Sequence, residues 1–272
     1  MLKESTIRYV IRNFFYLALF ALIPAVLFTM FLTPVSQIQL LRNLRNGAVI
    51  ENWFEDAYVY LSFINFNRIW MWLLSFLVLT VTSGITIAAT EQHMALGVRR
   101  KNVFRLLNDS ILLILPYVLF CLVLYEVLAM TFSGLIVLAS MLFSGTVLFV
   151  ITLLLLIALG ALTVVCAAYS ICTVPCMLEE GYSFGTAVGY SISLVSGHLW
   201  KTCISLFICY LCTFAVEAVT VFFAEKAFYA VRFCALLFWF VYLPAFSVRK
   251  YFELTGSERK DLEPAAPWGR KA

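Results

Sequence analysis

The fifty-two residues from Val127 to Leu178 contain no charged side chain. Of the 272 residues, 63% are hydrophobic and 12% charged. A soluble protein of that composition would lack the polar surface needed to stay in water. Lipid tails solvate apolar side chains directly, and a helix satisfies its own backbone inside lipid. The fold class that follows is all-α: a polytopic transmembrane helix bundle of about six spans, with short interfacial amphipathic helices. The 25 Phe, 13 Tyr and 6 Trp fit aromatic belts at the membrane surfaces.

A spanning helix needs about 20 apolar residues. Six stretches meet that requirement: 14–33, 69–90, 111–130, 146–177, 198–222 and 229–248. The first follows Lys3, Arg8 and Arg12 as a signal peptide would. Its apolar run is longer than the usual core of about 7–15 residues and has no clear cleavage site, so it reads as an uncleaved span kinked at Pro24. The uncharged run is too long for one crossing. Thr131–Gly134 and Ser144-Gly145 are the expected breaks, with 131–145 a short outer connection or a re-entrant segment. Residues 1–248 then form one transmembrane domain, and 249–272 a polar, disordered tail.

The connections carry patterns of their own. Ile38–Arg45 reads as a helix. Ile50–Ile64 places Trp53, Phe54, Tyr58 and Leu61 at helical spacing among Glu51, Glu55 and Asp56. That segment fits either a helix on the membrane surface or a cap over the bundle mouth. Trp70 and Trp72 mark the outer interface of the second span. Glu91–Ser110 reads as a basic amphipathic helix in which Arg99, Arg100, Lys101 and Arg105 meet anionic lipid head groups, each worth about 1 kcal/mol. Ser183 is the expected N-cap of a short helix over 184–196. Small residues in the second and fourth spans, Gly84 and Gly160 among them, suit close helix packing.

Charge sets the expected orientation. With the N-terminus inside, fourteen of the 19 Lys and Arg residues face the cytoplasm. The remaining five are Arg42, Arg45, Arg68, Lys226 and Arg232. A seventh span would move the basic tail outside, so the count favours six, with both termini cytoplasmic in the cell membrane. A faint parallel repeat relates spans two and three, joined through Glu91 and Gly97, to spans four and five, joined through Glu180 and Gly181.

Few residues can carry chemistry. Glu126, Glu217 and Arg232 are the ionisable residues inside the spans, where charge is costly and usually functional or paired. Each lies about 6–9 Å from the outer end of its helix at 1.5 Å per residue. They fit one binding or structural ion cluster; separate snorkelling to the interface is the plainer reading. All eight cysteines lie in apolar runs and read as buried hydrophobes, Cys209 and Cys212 included. His93 and His198 are far apart, no aspartate lies within a span, and no zinc-protease, esterase or phosphate-loop motif occurs. No catalytic residue, cofactor or metal is expected, and no basic soluble face exists for nucleic acid.

One motif stands out at the inner end of the fourth span: Thr173-Val174-Pro175-Cys176-Met177-Leu178-Glu179-Glu180-Gly181, then Ala187, Ser191 and Gly197-His198. With the basic Asn13-Phe14-Phe15 start, it resembles a loose group of bacterial six-helix membrane proteins. That group includes the membrane domain fused to some glycerophosphodiester phosphodiesterases. The resemblance implies a six-helix architecture in a bacterial cell membrane and lends the chain no particular activity. The leading functional expectation is a non-enzymatic accessory, scaffolding or binding subunit, whose partners are the lipid bilayer, anionic lipids and another membrane protein. A transporter or lipid-handling carrier is the first alternative, and a membrane-embedded enzyme the second.

Overall fold

Long apolar runs with few internal breaks fold into long helices, and the chain is built almost wholly of them. The computed structural model describes residues 5–31, 37–46, 52–64, 68–97, 103–223 and 227–262. In order come α1 (Thr6–Phe31), α2 (Gln37–Arg45), α3 (Trp53–Leu61), α4 (Ile69–Leu96) and α5 (Val103–Leu142). Then follow α6 (Gly145–Ser170), α7 (Thr173–Glu180), α8 (Phe184–Ser196), α9 (Leu199–Phe223) and α10 (Phe228–Thr255). No strand occurs among the described residues. Among the described residues, six segments are long and apolar enough to cross a membrane: Thr6–Met30, Ile69–Leu96, Ile114–Leu142, Gly145–Glu180, Leu199–Val219 and Tyr229–Thr255. The chain is a multi-pass membrane protein with an all-α bundle.

Several boundaries differ from the sequence expectation, each for a local reason. Residues 131–145 form no outer connection, because α5 runs unbroken to Leu142. The Thr131 and Ser133 hydroxyls donate to the carbonyls of Val127 and Ala129, at 2.8 and 2.7 Å, so these polar side chains are satisfied within the helix. The break falls at Phe143-Ser144, where Gly145 takes a left-handed φ of 58°. At 40 residues α5 is about 60 Å long, roughly twice the hydrocarbon core. No separate helix covers 91–110. Its first part extends α4 to Leu96, its last part opens α5, and residues 98–102 lie outside the described set. Trp72 is core rather than belt: it is buried, and its indole N–H donates to the Phe63 carbonyl at 2.8 Å. Trp70 remains exposed.

The start of α1 and the end of α10 meet at one end of the bundle, called here the terminal end. Arg249 donates to the Thr6 hydroxyl at 2.6 Å. Residues 249–262 are folded rather than disordered, and 263–272 lie outside the described residues. Lys250, Tyr251 and Phe252 are buried on α10. A 3-10 turn at Lys260–Leu262 places the Asp261 carboxylate 3.2 Å from Arg12 and 2.8 Å from Arg259. The Arg259 guanidinium lies over the Tyr9 ring, 5.7 Å from its centroid, and the Tyr9 hydroxyl meets His93 Nδ1 at 2.9 Å. Gly97 ends α4 with φ 70°, and a Cβ there would sit 3.1 Å from the Lys260 carbonyl oxygen. Charge pairing gives this polar segment an anchor that composition alone hides.

A second unexpected feature divides the fourth span. Pro175 lacks the N–H that would bond the Ile171 carbonyl four residues back. The helix breaks there, between α6 and α7. Ser247 of α10 donates its hydroxyl to that same Ile171 carbonyl. Ser191 of α8 donates to the Tyr169 carbonyl at 2.7 Å and accepts from the Cys172 N–H at 3.2 Å. Ile171 and Cys172 belong to a buried cluster that also includes Leu17, Met94, Val164, Val195 and Phe246, and both serines are buried. The proline motif of the sequence is thus a helix break held shut by two serines. Ser247→Ala should cost about 1–3 kcal/mol by leaving a buried carbonyl unsatisfied. Adding Pro175→Ala should recover part of that loss, since the restored N–H can reach Ile171; unfolding in mild detergent across the double-mutant cycle measures the coupling.

Candidate functional site

The opposite end of the bundle, the far end, holds the α5–α6 turn and the two short helices α2 and α3. Ala57 and Leu61 of α3 pack with Ala129, Phe132 and Ile136 of α5, so α3 acts as a cap on the far half of that helix. Leu40 and Leu41 of α2 and Leu156 and Leu159 of α6 complete the cluster.

Docking of α3 solves the problem of Glu126. One carboxylate oxygen accepts the Tyr58 and Ser62 hydroxyls, both at 2.9 Å. The other accepts the backbone N–H groups of Phe63 and Ile64, at 2.8 and 3.2 Å. These N–H groups lie just past the end of α3, in non-helical chain that has no ladder to join. The carboxylate therefore substitutes for water in an apolar setting, and the loop folds around it. Burial and the neighbouring carboxylate push the Tyr58 phenol above its ordinary value, which keeps it a donor.

Beside this anchor lies a cavity of about 320 Å³. Tyr210, Thr213, Phe214 and Glu217 line it from α9, and Arg232, Leu236 and Trp239 from α10. The α9 spacing of i, i+3, i+4 and i+7 and the α10 spacing of i, i+4 and i+7 each make one stripe, about 10 Å long at 1.5 Å per residue. Because the two helices are antiparallel neighbours, Glu217 and Arg232 share the far-end portion of the cavity. At its deeper portion the Trp239 indole N–H donates to the Thr213 hydroxyl at 3.2 Å.

Gln37, the stretch 60–63 and Tyr125 close the remaining wall. They form a directed chain: Tyr210 O–H donates to Gln37 Oε1 at 3.4 Å, and Gln37 Nε2 donates to the Tyr125 hydroxyl at 3.1 Å. Tyr125 O–H in turn donates to the Leu61 carbonyl at 2.8 Å. Such a chain fixes three side chains from three helices without using the cavity itself. Gly160 of α6 makes room for it, since a Cβ there would lie 2.3 Å from the Tyr210 ring.

The three ionisable residues singled out in the sequence are therefore neighbours with different employment. Glu217 and Arg232 face one cavity, which Tyr125 also lines. Glu126 sits behind Tyr125, committed to the α3 loop. Of the proposed head-group contacts, Arg99, Arg100 and Lys101 lie outside the described residues, and Arg105 belongs to the first turn of α5. Sequence reasoning missed Gln37, Tyr60, Ser62, Tyr125, Tyr210, Thr213 and Trp239. The signal available was the periodic placing of hydroxyl and indole groups on one face of α9 and α10. No family model, curated protein or solved structure matches this chain.

Two outcomes follow. Glu126→Ala should lower stability by at least about 3 kcal/mol, because hydrogen bonds to a charged group are worth about 1.5–3 kcal/mol each and the Tyr58 hydroxyl and Phe63 N–H lose this acceptor, while Ser62 and Ile64 keep their bonds to each other. Gly160→Ala should cost about 1–3 kcal/mol through overpacking against Tyr210 and shrink the cavity at its deeper portion. Thermal unfolding of the purified variants in mild detergent checks both.

Proposed function

We propose that the chain is a non-enzymatic binding subunit of the cytoplasmic membrane, which holds a small polar ligand in the cavity between α2, α5, α9 and α10. The observation that carries this reading is the contrast between the two halves of the bundle. Toward the terminal end, side chains such as Leu17, Ile87, Met94, Val164, Val241 and Phe246 pack into one buried cluster. Toward the far end, a cavity of ligand size opens with opposite charges and hydroxyls on its wall. Among the described residues neither histidine nor cysteine lines it, which favours binding over chemistry at an imidazole or a thiol. A carrier needs a polar path through the packed half, and binding does not. The basic residues concentrated near the chain ends favour a terminal end in the cytoplasm, which opens the cavity toward the outer leaflet. The resemblance to bacterial six-helix proteins is consistent with a bacterial cell membrane.

The test is native mass spectrometry of the full chain, purified in its own lipids, beside Leu236→Phe and Thr213→Phe, which fill the cavity. The wild type should carry a stoichiometric small molecule or lipid of defined mass. At least one filled variant that unfolds within a few degrees of wild type should lose it. An unchanged ligand load in such variants, or a stoichiometric protein partner beside an empty cavity, overturns the binding role and points to scaffolding.

A further inference from the structure

Resting on that binding reading, we infer that the cavity selects a zwitterionic group: an anion bound by Arg232 and an ammonium bound by Glu217. Two opposite charges line one cavity. Opposite charges on one wall offset each other, which lowers the cost of placing either inside a membrane protein. A ligand of one sign must separate them and leave the other charge unmatched at low dielectric, a costly exchange. A ligand bearing both signs replaces one neutral arrangement by another. Unlike a ligand of one sign, it enters without stranding a charge and can bond both groups.

The remaining wall fits the same chemistry. Arginine presents a planar fork suited to a phosphate or carboxylate. The Trp239, Phe214 and Tyr210 rings supply faces that attract an ammonium within about 6 Å of a ring centroid. Leu211 and Val216, about a third of a turn to either side of the cavity stripe on α9, are exposed apolar residues. An acyl chain leaving the cavity would therefore meet a lipid-facing surface. A phospholipid head group and a free amino-phosphate share this chemistry, and the probes below separate them.

The full chain, stripped of lipid in detergent, is titrated with short-chain phosphatidylethanolamine, short-chain phosphatidylglycerol and free phosphoethanolamine. Native mass spectrometry and thermal shift read the binding. The zwitterionic lipid should bind at least tenfold tighter than the anionic one. Glu217→Gln should reduce that preference to within twofold, and Arg232→Gln should weaken both lipids. Leu236→Phe, which keeps both charges, should lose both lipids and shows that the effect belongs to the cavity. Free phosphoethanolamine binding as tightly as the lipid assigns the site to a soluble zwitterion; binding of the lipid alone assigns it to a membrane head group. Equal binding of the two lipids, or a preference unchanged in Glu217→Gln, overturns the zwitterion inference and leaves the binding reading standing. If no probe binds, the zwitterion inference falls; if the chain in its own lipids also carries nothing, the binding reading falls with it.

Discussion

Lipid offers no hydrogen-bond partner, so every polar group taken into the bilayer must find one in the chain itself. The structure is organised around the places where regular helix fails to supply that partner. At the junction of α6 and α7, Pro175 removes an N–H, and the exposed carbonyls are met by Ser191 and Ser247 from two other helices. Those bonds set where α8 and α10 lie against the fourth span. At the end of α3 the free N–H groups of Phe63 and Ile64 are met by Glu126. That bond set fixes the connection between the first and second spans against α5. Elsewhere, Thr80, Thr86 and Thr90 of α4 donate to carbonyls one turn back, which lets hydroxyls sit on an otherwise apolar helix.

The same constraint separates the two acidic residues at the far end. Glu126 has its four donors assigned and serves the fold. Glu217 stands with Arg232 on the wall of a cavity that side chains do not fill. A structural pair is normally packed; the proposed binding role rests on this pair facing open volume instead. The directed chain from Tyr210 through Gln37 and Tyr125 to Leu61 keeps the opposing wall rigid, because each member already has its bond. A rigid wall facing an exchangeable pair is what ligand recognition requires.

Much of the architecture was legible in the sequence because lipid imposes it. Apolar length identifies spans without knowledge of tertiary contacts, and six are found. The misread regions are those where tertiary bonding or a back-bonded hydroxyl overrides composition. Thr131, Ser133 and Gly134 look like a break, yet the two hydroxyls bond within α5. The stretch after Arg249 looks disordered by composition, yet Asp261 is anchored by arginines about 250 residues and two residues away in sequence. Glu126, Glu217 and Arg232 were singled out by cost alone. Their division into anchor and cavity pair depends on where α3 docks, and no local pattern encodes that.

The contact between α1 and α10, and the pairing of Arg12 with Asp261, join the first helix to the last described turn. A chain threaded into a membrane from its beginning must therefore keep its first helix waiting while five more are inserted. Until the Ser247 and Asp261 region leaves the ribosome, the Ile171 carbonyl and the arginine of α1 lack their native partners. The bundle therefore closes only after α10 and the turn that follows it have been made. A chain that stops short inserts its early spans with the seam between first and last helix still open, which is the kind of unsatisfied surface a membrane quality-control protease can read.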